Sequence, residues 1–383
     1  METNKQIYLD YAASTPTAKE VVEAMQPYYN KVFANPSSVH QAGLDAKYAV
    51  NKARKEIAKI ISCKETEIIF TASGSESINL AIQGVARANA KGHIITSAAE
   101  HSATLKTCQW LEVNGFQVTY LNPNQQGIIE AKQVEQSIQE NTILITLLYA
   151  NNETGVINPI KEIAKIASKY KILFHLDACQ ATNYLTINAE SLGIDLMTIN
   201  SSKIYGPNGT ALLFIKENTQ IKPLIFGGSQ ENNLRAGTHN LPCIIGFEKA
   251  LKLLEQEKTK ESQRLTNLRD LLQELISKDL KDVFLNGHKE KRLPNILNLS
   301  FLGIDSETLV HTLSSQNLCV SNGSACSAGT IKSSHVLESM GLNEFRSTSS
   351  IRFSLGKQTT EKEIKQAAEI VIRSVNALRK VSQ

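Results

Sequence analysis

The sequence predicts an α/β protein in which a large domain with a mainly parallel sheet precedes a smaller α+β domain. From about residue 65 to residue 215, apolar runs alternate with amphipathic stretches, which is typical of parallel strands connected by helices. The 383 residues exceed the length at which a single core stops growing, which favours two domains. A long helical pattern rich in Lys, Glu, Leu and Gln begins around residue 243 and leads into the second domain.

Seven apolar runs are predicted to be strands of the large domain. They are Ile68–Thr71, His93–Thr96, Gln117–Leu121, Ile143–Tyr149, Ile172–Leu176, Leu196–Ile199 and Ala211–Ile215. The helical patterns between them are Glu76–Ala88, Ser102–Asn114, Ala131–Gln139 and Ile160–Tyr170. Because ligands in such sheets bind at the carboxyl ends of the strands, we expect the functional side chains to follow those ends.

The small domain contains two further predicted strands, Asn295–Ser300 and Ser350–Ser354. We assign residues 15–260 to the large domain. Residues 261–383, together with residues 1–14, are assigned to the small domain, which carries the polar segment around Cys326.

Composition and charge exclude several classes of protein. The formal charge of +4, from 41 basic and 37 acidic residues, is weak, and it gives no reason to expect nucleic-acid or membrane binding. The N-terminus has no apolar signal region and no apolar stretch approaches a membrane span, so a cytoplasmic protein is expected. Six scattered cysteines without a Cys-x-x-Cys pair fit neither a zinc site nor a disulfide framework, and no metal is expected.

Lys203 and Asp177 follow neighbouring predicted strands. A lysine in the polar, glycine-flanked stretch Asn200–Pro207 can bind an aldehyde cofactor as a Schiff base, and the acid upstream can pair with a pyridinium nitrogen. Taken singly, Lys203 is far more typical of a surface lysine, and Asp177 can be a helix cap. Their occurrence at successive strand ends, together with the residues below, favours one shared crevice.

Three other strand ends carry candidate binding residues. The turn Thr71–Ser75 opens a helix and can surround an anion, although Ser73 and Glu76 also form a capping box that needs no ligand. His101 can stack on an aromatic cofactor and move protons, or simply begin a helix. Asn152 can bind a phenolic oxygen or belong to a turn.

Cys326 and Arg352 are the candidates in the small domain. Cys326 lies among Gly and Ser residues at 321–329, which suits a nucleophilic thiol on a mobile loop. The other cysteines are expected to be small buried residues, with Cys319 in a strand. Arg352 alternates with apolar neighbours on a strand and can bind a carboxylate in a bidentate manner, or form a structural ion pair.

The chain resembles the cysteine desulfurases of the NifS/IscS type, within the aminotransferase class V group of fold-type I pyridoxal-phosphate enzymes. The motifs that carry this resemblance extend over nearly the whole chain. They are Leu9–Ala13, Asn35–Ser38, Glu100-His101, Asn151–Gly155, Asp177–Gln180, Lys203–Pro207, Arg235–Thr238, Gly323–Cys326 and Ser350–Gly356.

The resemblance implies a homodimeric enzyme that uses pyridoxal 5′-phosphate to convert L-cysteine to L-alanine. Lys203 would hold the cofactor and move the α-proton, His101 would stack on its ring, and Cys326 would take the sulfur as a persulfide. The implied cofactor contacts are Gly74, Ser75, His101, Asn152, Asp177, Gln180, Asn200, Ser202, Lys203 and Thr238, the last toward the neighbouring subunit. Arg352 and Asn35 would bind the substrate.

The implied product is sulfur for an acceptor or scaffold protein, in iron–sulfur cluster assembly, thio-cofactor synthesis or tRNA thiolation. The sequence departs from the family before the lysine, where Asn200-Ser201-Ser202 replaces the usual Ser-Gly-His. Two alternatives therefore stay open. One is a selenocysteine lyase, and the other is a catalytically weakened accessory protein on the same fold.

Overall fold

The computed structural model describes residues 6–322 and 333–381. The strands are β1 Ile7–Tyr8, β2 Ile68–Thr71, β3 His93–Ser97, β4 Gln117–Leu121, β5 Thr142–Leu148, β6 Leu173–Asp177, β7 Leu196–Asn200, β8 Ala211–Ile215, β9 Val283–Leu285, β10 Ile296–Phe301, β11 Leu318–Cys319 and β12 Ser350–Ser354. The helices are α1 Lys19–Met25, α2 Pro27–Asn30, α3 Gln41–Ile61, α4 Gly74–Ala88, α5 Ser102–Val113, α6 Ala131–Gln136, α7 Ile160–Tyr170, α8 Ala189–Leu192, α9 Leu241–Asp279, α10 Ser306–Ser315, α11 His335–Ser339, α12 Glu344–Ser347 and α13 Glu361–Val381.

The large sheet has the strand order β2-β8-β7-β6-β5-β3-β4. Its strands are parallel except β8, which is antiparallel to both of its neighbours. Since β2 and β7 are each antiparallel to β8, β2 runs in the same direction as β7. The carboxyl ends of β2, β3, β5, β6 and β7 therefore lie at one edge of the sheet.

The smaller sheet is antiparallel, with the order β12-β10-β9. The start of the chain joins it, because β1 pairs with β11 and the main chain of Asp10 bridges to Ser354 on β12. This pairing brings the residues after β1 to the edge of the large sheet where the candidate site lies.

Buried apolar side chains form separate clusters around the two sheets. One packs strands of the large sheet against α3, α7 and the first half of α9 as far as Leu254, and another packs the small sheet against α9 from Leu265 onward and α13. The 39-residue helix α9 thus contributes to both clusters. The domain boundary at residue 260 stays a prediction.

The predicted strands and helices are present with small shifts of their ends. β6 includes Asp177, and α6 ends at Gln136 rather than at Gln139. The expectation that the remaining cysteines are buried was wrong for Cys63 and Cys319, which are only partly buried. Cys319 does lie in a strand, but its Sγ accepts a hydrogen bond from Gln6 Nε2 at 3.1 Å.

None of the helices within the described ranges is long and apolar enough to cross a membrane.

Candidate active site

The candidate side chains follow the strand ends that meet at one edge of the large sheet. The turn Thr71–Ser75 follows β2, His101 follows β3, and Asn152 follows β5. Asp177 ends β6, and Lys203 lies in a single 3₁₀ turn directly after β7. The sheet order therefore places these residues at one edge of the sheet, and the space between them is called the crevice below.

The amine of Lys203 is held by main-chain carbonyl groups from the start of the chain. Nζ donates to the oxygen of Ala12 at 3.0 Å and to that of Ala13 at 2.5 Å. Burial lowers the pKa of Lys203, although nearby Cys179 partly opposes the effect. Since burial disfavours the charged form, this amine gives up its proton more readily than a surface lysine does.

Asp177 and His101 lie close to this amine. Asp177 is 3% exposed, and its Oδ1 accepts the main-chain N–H of Cys179 at 2.9 Å. Burial lowers the pKa of His101, with Asp177 raising it and Lys203 lowering it further. The His101 imidazole is therefore neutral near pH 7, and its Nδ1 accepts the N–H of Ala103 at the start of α5.

The turn after β2 lies next to the turn after β7. Ser73 caps α4 by accepting the N–H of Glu76, so the predicted serine cap is present. Gly74 begins this helix at a point of close approach, since a Cβ there would lie 3.2 Å from Cys179 Sγ and 3.3 Å from Asn200 Nδ2. The first N–H groups of a helix have no intrahelical acceptor, so this end of α4 can bind an anion.

The side chain of Asn200 has a fixed orientation. Its Oδ1 accepts both the N–H and the hydroxyl of Ser202, each at 3.2 Å. The opposite atom, Nδ2, is therefore the one that faces Gly74. Asn200 consequently presents a donor to the helix end, in a place where the resemblance alone implied a hydroxyl group.

Gln180 and Asn152 lie on two further sides of the crevice. Gln180 is buried, and its Nε2 donates to the Ala12 oxygen at 2.9 Å, the same oxygen that binds Lys203. Asn152 uses its main-chain oxygen to accept Nη1 of Arg352 at 2.9 Å. Its side chain is partly buried.

Arg352 on β12 brings the small sheet to the crevice. Its Nη2 forms an ion pair with Asp10 Oδ1 at 2.7 Å, and its side chain is 5% exposed. Its main chain bridges to Ser321. Arg352 also lowers the pKa of Lys203 through its charge, and the segment Asp10–Ala13 binds both side chains.

Three predicted site residues are exposed. Thr238 is exposed in the segment between β8 and α9. Asn35 is exposed, and its Oδ1 accepts the N–H of Ser37. Ser75, the second residue of α4, is exposed near the crevice. Cys326 lies outside the described residues.

Sequence reasoning missed several residues that shape the crevice. The carbonyl groups of Ala12 and Ala13 bind the lysine, and Asp10 binds the arginine. The signal was the motif Leu9–Ala13, which stood out only through the resemblance. Glu100 was also missed as a buried acid, and burial raises its pKa well above the usual range.

Comparison with known sequences gives a consistent result. The aminotransferase class-V profile matches residues 7–367. A cysteine desulfurase IscS of Dictyoglomus turgidum is 45% identical over 380 residues, which cover 99% of this chain and 96% of that protein.

Solved structures resemble the fold over almost the whole chain. A protein described as NifS-like superimposes with a TM-score of 0.92 at 31% identity, covering 97% of this chain and all of the other. A structure titled SspA in complex with cysteine has a TM-score of 0.82 at 38% identity, covering 92% of this chain and 99% of the other.

Proposed function

Because the chain belongs to the cysteine desulfurases of the aminotransferase class-V family, we propose that its crevice binds pyridoxal 5′-phosphate and L-cysteine. The enzyme converts L-cysteine to L-alanine and transfers the sulfur to a cysteine of its own and then to an acceptor. The observation that carries this proposal is the partly buried Lys203, whose amine is held by two neutral carbonyl oxygens beside Asp177 and His101.

The residues present fit a phosphorylated pyridine aldehyde. Lys203 supplies an amine of lowered pKa for the aldehyde. Asp177 supplies a buried carboxylate for the ring nitrogen, and the neutral imidazole of His101 suits stacking. The end of α4, with Gly74 and the Asn200 amide, suits a phosphate group. When bound, this cofactor withdraws electrons from the substrate α-carbon.

Substrate binding is assigned to the small-domain side of the crevice. Arg352 takes the substrate carboxylate, and its present partner Asp10 already places a carboxylate 2.7 Å from Nη2. Lys203 then removes and returns the α-proton, a role that requires an amine able to be neutral. Asn35 joins Arg352 in this proposal, although its side chain is engaged in its own turn.

The remaining contacts of the cofactor are proposed from the same crevice. Gln180 and Asn152 are proposed to bind the phenolic oxygen of the cofactor through their side-chain amides. Ser75 and Ser202 add hydroxyl groups near the helix end. Thr238, which is exposed, is proposed to reach the phosphate bound in the neighbouring subunit of a homodimer. We also propose a cytoplasmic location and a sulfur-acceptor or scaffold protein as partner.

Cys326, outside the described residues, is proposed as the thiol that takes the sulfur. Its thiolate attacks the substrate sulfur, the carbon–sulfur bond breaks, and the carbon keeps the electron pair. The products at this step are a persulfide on Cys326 and a carbanion equivalent that is protonated to alanine. No outside oxidant is needed, because the substrate carbon gains the two electrons that the sulfur loses on becoming the outer sulfur of the persulfide.

The test is mass spectrometry of the purified enzyme after incubation with L-cysteine. We expect one additional sulfur on the peptide that contains Cys326, and none on that peptide in Cys326→Ala. Cys319→Ala is the matched control, because Cys319 is partly buried in β11, and it should keep the added sulfur on Cys326. Unchanged sulfide release by Cys326→Ala would contradict the persulfide role.

The alternatives are less well supported than cysteine desulfurase. The relatives are named cysteine desulfurases, and one similar structure is titled as a complex with cysteine. The accessory-protein alternative predicts a purified protein without visible colour that stays colourless when pyridoxal phosphate is added. A yellow purified protein that changes colour on reduction with borohydride, and then carries the reduced cofactor on Lys203, would exclude the accessory-protein alternative.

A further inference from the structure

Glu231 is a buried carboxylate that joins three separate parts of the chain. Its side chain is 2% exposed and forms a bidentate pair with Arg54 of α3, with N–O distances of 2.9 and 2.5 Å. Its Oε2 accepts the main-chain N–H of Phe70 on β2 at 2.6 Å. Its Oε1 lies 2.7 Å from Nε2 of His239. The carboxylate of Glu231 therefore binds β2, the strand that precedes the turn Thr71–Ser75, and it also contacts His239, the residue after Thr238. The turn Thr71–Ser75 is called the phosphate turn below.

The backbone around Glu231 is strained. Glu231, Asn232 and Asn233 have φ values of 47°, 56° and 64°, in the left-handed region that favours glycine. Because side chains crowd the backbone in this region, the conformation persists only where surrounding contacts impose it. The hydrogen bonds of Glu231 are contacts of this kind. Burial alone would raise the pKa of Glu231, but hydrogen bonds from His239 and Arg54 lower it to about 2.

Glu76 makes a second connection between the turn after β2 and residues 235–239. Its Oε1 accepts Nε of Arg235 at 2.8 Å, and its Oε2 accepts the main-chain N–H of Ala72 at 2.9 Å. Both side chains are about one-fifth exposed, at 22% and 20%. Thr238 lies between the two connections, three residues after Arg235 and one before His239. The turn Thr71–Ser75 and residues 235–239 are thus held together from both sides.

We propose that Glu231 and Glu76 are positioning residues that fix Thr238 relative to the phosphate turn, so that each subunit presents the turn to its own cofactor and Thr238 to the cofactor of its neighbour in one rigid arrangement. The inference rests on the proposed function, because the phosphate is that of the bound cofactor. Neither glutamate touches the cofactor. Each acts through the main chain of the turn on one side and through the segment that carries Thr238 on the other.

The experiment compares the rate at which pyridoxal phosphate is lost from the holoenzyme, followed by its visible absorbance after dilution. We expect Glu231→Gln to accelerate this loss about tenfold, since a charged, buried hydrogen-bonding group is removed. In the Thr238→Ala background the same change should add less than about twofold, because residues that act as a unit are not additive. If Glu231 only stabilised the fold, Glu231→Gln would accelerate cofactor loss by the same factor in the wild-type and Thr238→Ala backgrounds.

Two further variants keep the test decisive. Arg235→Gln removes the connection to Glu76 at a partly exposed position, and it should accelerate cofactor loss even if Glu231→Gln does not fold. Glu217→Gln is the matched control, because Glu217 pairs with Lys64 at the surface and such pairs contribute little. It should release the cofactor at the wild-type rate.

Either of two results would overturn this inference while leaving the proposed function intact. One is wild-type release rates in both Glu231→Gln and Arg235→Gln, and the other is equal acceleration with and without Thr238. A wild-type protein that holds no pyridoxal phosphate would instead overturn the proposed function, and the inference with it.

Discussion

Lys203 and Arg352 face one crevice from different sheets, but their surroundings are of opposite kinds. Lys203, after β7 of the large sheet, donates through its amine to the uncharged carbonyl oxygens of Ala12 and Ala13. Arg352, on β12 of the small sheet, is paired with the carboxylate of Asp10. Burial lowers the pKa of Lys203, whereas a guanidinium stays charged at any ordinary pH.

This difference indicates what each sheet contributes. Carbonyl oxygens orient the lysine amine without holding its proton as strongly as a carboxylate would, so the large sheet supplies a group that can alternate between base and acid. The small sheet supplies a permanent charge whose partner is exchangeable. Chemistry is therefore assigned to the first region and substrate recognition to the second.

The largest expected effect comes from removing the chemistry of the large sheet. Lys203→Ala should lower kcat about 10³-fold or more, because the base and the anchor of the cofactor are both lost. Circular dichroism should show an intact fold. Lys216→Ala is a suitable control, since Lys216 lies at the surface beside Asp195 and should leave sulfide release unchanged. Substantial residual turnover in Lys203→Ala would break the proposed division of roles.

The sequence predicted the site residues of the large sheet better than those of the small sheet. Strand ends can be read from local apolar runs, so Asp177 and Lys203 were placed correctly relative to β6 and β7. The carbonyl groups that hold Lys203 come from about 190 residues earlier in the chain, and Asp10 lies 342 residues before Arg352. Local periodicity carries no information about contacts at such separations.

The same limit applies to Glu231. Nothing in its neighbourhood in the sequence distinguishes it from a surface glutamate, yet it is 2% exposed and binds Arg54, 177 residues away. A buried carboxylate of this kind becomes recognisable only when the fold brings its donors together. The strained φ values beside it are likewise set by tertiary contacts rather than by residue preference.

The second prediction concerns the recognition side. Arg352→Lys should raise KM for L-cysteine about tenfold with a smaller change in kcat, because lysine cannot bind a carboxylate in a bidentate manner. Steady-state sulfide release over a range of cysteine concentrations separates the two constants. Arg373→Lys, on the outer face of α13 where Arg373 contacts Gln316, is the matched control. A fall in kcat with constant KM would assign Arg352 to the chemistry instead.

The third prediction tests the lowered pKa of Lys203 directly. Cofactor-free protein should take up pyridoxal phosphate faster as the pH rises, because the neutral amine reacts, and the rate should level off at a pH below 10.5, the ordinary lysine value. The spectrum of the bound cofactor reports the rate. An acetylated lysine amide in solution serves as the reference amine. A rate on the protein that rises in parallel with this reference up to pH 10.5 would contradict the effect of burial.

The smallest expected effect comes from the partner of the arginine. Asp10→Asn keeps the shape of the side chain but removes the charge that competes with the substrate carboxylate for Nη2 of Arg352. We expect KM for L-cysteine to fall about two- to threefold, because the substrate no longer displaces an ion pair. The free enzyme should also unfold at a lower temperature, since removing one partner leaves a buried charge unpaired. Saturating substrate analogue should reduce this difference in unfolding temperature, as it supplies the missing carboxylate. An increase in KM would mean that Asp10 orients Arg352 for the substrate rather than competing with it.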